Sequence, residues 1–99
     1  MVKLVAIYQK PKNVAEFEQH YFDIHAPLVE KVPGLIKLEV NKVYGSPVGE
    51  SDLHLIAEMV FQDKKALADA MNSPEMKAAG KDLMSFAGDI VSMHYVEVQ

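Results

Sequence analysis

The sequence predicts an α+β fold in which strands and helices follow the order β-α-β-β-α-β and the four strands form one antiparallel sheet. Three observations carry this. Short runs rich in Val, Ile, Leu and Tyr alternate in that order with helical stretches. Each helical stretch bears one apolar stripe, the pattern of a helix lying on a sheet. The chain spans 99 residues, 49% of them hydrophobic and 24% charged, which suits a single globular domain over residues 1–99 and rules out disorder as its main state.

Val2 to Gln9 is a strand by composition, and Pro11 lies in the loop that ends it. Asn13 followed by Glu16 resembles a helix-start box. Val14, Phe17, Tyr21, Ile24 and Leu28 then form a helical stripe. Pro27 is expected to kink this helix or tighten it near Ala26, and Pro33-Gly34 stops it. Leu35 to Tyr44 is a second strand, with Ile36, Leu38 and Val40 alternating with polar neighbours. Gly45-Ser46-Pro47 and Gly49 make a loop. Leu53 to Gln62 is a third strand whose odd positions are all apolar. Asp63 caps the next helix, Ser73 caps a new segment with Pro74 in first position, and Gly88 closes it. Asp89 to Val98 is the last strand. The order is the ferredoxin-like split β-α-β-β-α-β, with two crossover helices on one face of a four-stranded antiparallel sheet.

A sheet of this kind, packed on one side only, should be polar on the other. Here Val5 and Ile7 lie opposite Leu4, Ala6 and Tyr8, and Ile90, Val96 and Val98 lie opposite Val91, Met93 and Tyr95. Such a patch is sticky in water, so a homodimer that pairs sheet face with sheet face is expected.

Ten basic and fourteen acidic side chains leave a net charge of −4, with no basic block, so no nucleic-acid partner is expected. There is no cysteine, hence no disulfide scaffold, thiolate zinc site or cysteine nucleophile. No apolar run approaches the roughly 20 residues that span a bilayer, and the start has no secretory-signal pattern. No membrane partner and a cytoplasmic location are expected. Glycine-rich phosphate loops, nucleophile elbows and dinucleotide fingerprints are missing too.

Candidate chemistry therefore rests on histidines. His20 and His25 are five apart, about 140° around an α-helix, so they are not expected to share a metal, and no metal site is expected. His20 reads as surface. His25 stands on the shoulder of the stripe with Tyr21 one turn before it, where an imidazole can serve as general acid or base. Its plainer reading is a structural hydrogen bond at a helix end beside Pro27. His54 and Glu58 are expected on one face of the third strand, lining a pocket or making polar contacts across a dimer seam. Asp82, one turn before Phe86, is either a solvated helix charge or one that reaches the sheet or a loop.

Phe17-x3-Tyr21-x3-His25-Ala-Pro27-Leu28-Val29, followed by Val32-Pro33-Gly34-Leu35, resembles the signature of the EthD family. Ala57-Glu58-Met59-Val60-Phe61, Ser73-Pro74 and Asp82-x3-Phe86 continue the resemblance in the same order. It implies a dimeric α+β barrel, two ferredoxin-like subunits with sheets face to face and a small pocket in each. It matches the family's histidine to His25 and its strand-three glutamate to Glu58. Phe17, Leu28, Met59, Asp82 and Phe86 are then the expected ligand-binding residues. The wider superfamily includes muconolactone-type isomerases, polyketide cyclases and monooxygenases, and EthD-type proteins are associated with ether degradation.

Two functions follow. One is a cofactor-free isomerase, cyclase or dehydratase on a small carbonyl, lactone or aromatic compound. In it His25 moves a proton, Tyr21 donates to the developing oxyanion, and His54 or Glu58 orients the substrate or relays a proton. The alternative is a non-catalytic ligand-binding or accessory protein of an oxygenase or degradation system. No cofactor is expected in either.

Overall fold

The computed structural model describes residues 1–99. Strand β1 runs over Val2–Gln9, β2 over Lys37–Lys42, β3 over Leu53–Phe61 and β4 over Val91–Glu97. All pairings are antiparallel, in the order β2-β3-β1-β4. Strands β2 and β4 are the edges of the sheet, and both are shorter than their apolar runs suggest. The helices cover one face. Val2, Leu4, Ala6 and Tyr8 of β1 alternate inward and are buried there, level with Leu55, Ala57, Met59 and Phe61 of β3.

The core divides in two. Val2, Leu4, Met59, Phe61, Leu67 and Met76 form one half. Tyr8, Phe17, Tyr21, Leu55, Leu83 and Ala87 belong to the other. The second half carries most of the aromatic residues and, as described below, the histidines.

The first helical stretch departs from expectation. It comprises α1 (Val14–His20), a π-helical turn (Tyr21–His25) and α2 (Ala26–Glu30). Asn13 caps it as expected, its side chain accepting from the Glu16 N–H at 3.0 Å. Ahead of Pro27 the chain widens instead of tightening: the Ala26 N–H reaches the Tyr21 carbonyl, five residues back. In a continuous α-helix the Pro27 ring would meet the Asp23 carbonyl, and the wider turn relieves that conflict. After Val32, Gly34 turns the chain toward β2 with φ of +81°, a conformation that β-carbon-bearing residues rarely adopt.

Helix α3 (Lys64–Met71) and helix α4 (Pro74–Ala87) start at Asp63 and Ser73 as the sequence indicates. The Ser73 hydroxyl accepts from the Met76 N–H at 3.1 Å and donates to the Ala70 carbonyl at 2.6 Å, joining the two helices.

Strand β3 holds a second departure. Tyr8 pairs with Leu55 but Gln9 pairs with Leu53, so His54 is the extra residue of a β-bulge. Simple alternation puts His54 on the open face with Glu58. The bulge turns it to the helix side instead, where its Nε2 lies 2.9 Å from Glu18 of α1. Glu58 stays on the open face. Lys3 donates to it at 2.9 Å and the Asn41 amide at 3.0 Å. Val5, Ile7 and Ile56, each only half-buried, share that face. No helix is long and apolar enough to cross a membrane.

Candidate active site

The wide turn has a direct chemical consequence. An α-helix would set His20 and His25 on different sides, whereas an i→i+5 turn brings residues five apart back to one side. Both imidazoles meet the same carboxylate on α4. His20 Nε2 lies 2.9 Å from Asp82 Oδ1, and His25 Nδ1 lies 3.0 Å from Asp82 Oδ2. His20 is therefore not a free surface residue, and Asp82 is not a solvated helix charge. The Phe86 ring packs beside both, 4.2 Å from the His20 ring centre and 5.3 Å from that of His25.

A carboxylate only accepts hydrogen bonds, so the nitrogen facing it carries the proton. His25 is thus the Nδ1–H tautomer, and its Nε2 makes no hydrogen bond within the chain. The His25 side chain is 6% exposed. Burial pushes its pKa below the usual 6.5, Asp82 partly offsets that, and the neighbouring His20 adds to the depression.

Two phenols complete the group. Tyr21 lies 5.5 Å from His25 between ring centres, and Tyr8 lies 5.6 Å from Tyr21, edge to face. Burial raises the Tyr21 pKa to about 12. Tyr8 is pushed up further, first by burial and then by Tyr21 and Asp82. Neither hydroxyl has a hydrogen-bond partner in the chain, yet no sealed polar atom lacks one. Each hydroxyl therefore keeps a sliver of exposure on a residue that is only 1% exposed, and both are neutral donors.

Phe17 stands at the centre, within 6.0 Å of Tyr8, Tyr21, His54 and Phe86 by ring centres. Beyond it lies a second imidazole–carboxylate pair, His54 with Glu18, tied to Lys42 at 2.9 Å. The Lys42 contact, more than the His54 one, holds the Glu18 carboxyl below its usual range.

The structure thus gathers His25, Tyr21, Phe17, Asp82, Phe86 and, through the bulge, His54. It does not bring Glu58, Leu28 or Met59 to them. Glu58 faces the opposite side of the sheet, and Leu28 and Met59 pack in the other half of the core. Sequence reasoning missed Tyr8, His20 and Glu18. Tyr8 was legible as an inward position of β1, but His20 and Glu18 needed the wide turn and the bulge.

Two surface clefts are prominent. One of about 590 Å³ lies between α3 and β4, lined by Leu67, Met71 and Tyr95, away from the histidines. The other, about 530 Å³, opens beside the cluster, with Phe17, His20 and Phe86 on its wall. The second is the one next to titratable chemistry, although His25 itself stands behind that wall.

Known proteins share this fold. A crystal structure of an ethyl tert-butyl ether degradation (EthD) family protein from Bacillus halodurans is 44% identical, with a TM-score of 0.97 over 100% of this chain and 99% of that one. An uncharacterised 11.0 kDa protein of the thcB–thcC intergenic region in Rhodococcus erythropolis is 27% identical over 98% of this chain and 94% of its own length. More distant structures share the fold alone. SnoaB, a cofactor-independent oxygenase from Streptomyces nogalater, has a TM-score of 0.70 at 17% identity over 99% of this chain and 92% of its own. A hydroxynitrile lyase from Passiflora edulis has 0.78 at 11%, over 99% and 93%. The EthD domain matches residues 9–89, from the end of β1 through the whole of α4 and so across every histidine–carboxylate contact described above: the chain belongs to the EthD family.

Proposed function

We propose that the protein is a cofactor-independent enzyme that moves a proton next to the carbonyl of a small, partly apolar lactone, ketone or aromatic compound. One observation carries the reading. His25 is buried and donates through Nδ1 to Asp82, which leaves Nε2 as an unbonded base beside Tyr21. Nε2 takes the proton from the carbon next to the carbonyl. The C–H electron pair becomes a C=C bond, and the carbonyl π pair moves onto oxygen. The Tyr21 hydroxyl donates to that oxygen, and with its pKa raised to about 12 it remains a donor throughout. The imidazolium, held against Asp82, returns its proton to the enolate: to the same carbon in a simple ketone, which is exchange, or to the far carbon of the conjugated enolate where the substrate carries a β,γ C=C bond, which gives an isomer. Neither outcome changes the redox state.

The fold supports the reading, since proteins of this fold include a cofactor-independent oxygenase and a lyase. The proposal includes a homodimer through the open sheet face, supported by half-buried Val5, Ile7 and Ile56 there and by dimeric proteins of similar fold. It also keeps the cytoplasm as the expected compartment.

The test follows α-proton exchange in D2O by proton NMR, with α-angelica lactone and phenylacetone as probes. Wild type is expected to accelerate exchange on at least one probe, and His25→Gln to lose at least about 100-fold. Equal rates for the two proteins would overturn the assignment of His25. Saturable binding of either probe without exchange would favour the ligand-binding alternative.

A further inference from the structure

Asp82 has two oxygens and both are taken by imidazole: Oδ1 by His20 and Oδ2 by His25. Only one of these imidazoles is sealed. The His25 side chain is 6% exposed, whereas that of His20 is 28% exposed and forms part of the cleft wall. The His20 ring is fixed in plane by stacking on Phe86. One carboxylate thus faces two bases, and a single negative charge can balance only one imidazolium.

We propose that His20 is a positioning residue of this site: by occupying the second oxygen of Asp82 it aims Oδ2 at the His25 Nδ1–H and weakens the hold of Asp82 on a His25 imidazolium. His20 acts through Asp82 and does not reach the reacting atoms. Its effect on His25 has two physical parts. Its hydrogen bond fixes the carboxylate plane, so that Oδ2 points at His25 Nδ1. Its charge, when protonated, cancels the attraction that Asp82 would otherwise exert on a His25 imidazolium. The titratable groups that face His25 are few: Tyr21 and His20 from the first helical stretch, Asp82 from α4, and Tyr8 from β1 through Tyr21 and Asp82. Neither phenol is charged near neutral pH, which leaves His20 and Asp82 as the pair that sets the proton balance of His25.

This role of His20 deepens the proposed proton-carrier role of His25 and rests on it for its catalytic meaning, but its test reads His25 directly. Long-range proton–nitrogen spectra of uniformly nitrogen-15-labelled protein report the tautomer and titration midpoint of each imidazole. The four histidines are assigned by single His→Gln variants. In wild type, His25 is expected as the Nδ1–H tautomer. In His20→Gln, which keeps a neutral donor to Oδ1, the His25 midpoint is expected to rise by about one pH unit. His20→Leu, which removes the donor too, is expected to raise it at least as far and to broaden the His25 signals. A His25 midpoint that stays within about 0.2 units in both variants, or an Nε2–H tautomer in wild type, would overturn the inference. Failure of the enzyme reading is distinguishable, because unchanged exchange in His25→Gln would leave these midpoints where they are.

Discussion

At the scale of single residues, the chemistry turns on which nitrogen of an imidazole is free. His25 is buried and anchored on Asp82 through Nδ1, so its other nitrogen is left without a partner in the chain. This makes a prediction about stability. Burial holds the folded His25 pKa below 6.5, so the unfolded chain takes up that proton first as the pH falls. The contribution of this group is fully present above about pH 6.5 and is lost as the pH descends from there toward the folded pKa. Urea midpoints measured at pH 7.5 and 5.5 are expected to drop on acidification in wild type and to drop less in His25→Gln. The position was legible in the sequence, since the shoulder beside Tyr21 offered His25 either to acid–base work or to a structural hydrogen bond. Its partner was not. Asp82 lies 57 residues away, and no local pattern reports which side of α4 meets the first helix.

At the scale of elements, two small irregularities build the site. Most of the fold was legible: the strand order, the Asn13, Asp63 and Ser73 caps, and Pro74 opening α4 all follow from local rules. The π turn was not, because the stripe from Val14 to Leu28 fits a period of 3.6 residues throughout. That period sets His20 about 140° from His25 and leaves it on the surface. The bulge at His54 was not legible either, because strict alternation of side chains cannot register one extra residue. The regular parts carry their own prediction. Ser73 is buried and caps α4 while bonding the end of α3. Ser73→Ala is expected to cost about 1–2 kcal/mol in urea unfolding, with α-proton exchange unaffected in the folded protein, since Ser73 lies outside the histidine cluster.

At the scale of the whole molecule, the sheet has one finished face and one unfinished face. The helix side carries the two aromatic and aliphatic core halves. The open side shows Val5, Ile7 and Ile56 beside the Lys3–Glu58–Asn41 polar group. That mixture suits a partner surface better than bulk water, and it gives Glu58 a structural task away from His25. Ile56→Lys is expected to convert a species of about twice 11.0 kDa into a monomer by native mass spectrometry, with a normal circular dichroism spectrum. A wild-type mass of one chain would contradict the paired-sheet assembly.

The most direct measurement asks whether an imidazole base, and not merely an intact fold, is what His25 supplies. His25→Ala opens a space of imidazole shape against Asp82, since the native ring is buried there. Exchange of the α-protons of the responsive probe is expected to fall by at least about 100-fold in this variant and to return in proportion to imidazole added to the buffer. Undiminished exchange in His25→Ala would contradict the assignment of His25 as the proton carrier.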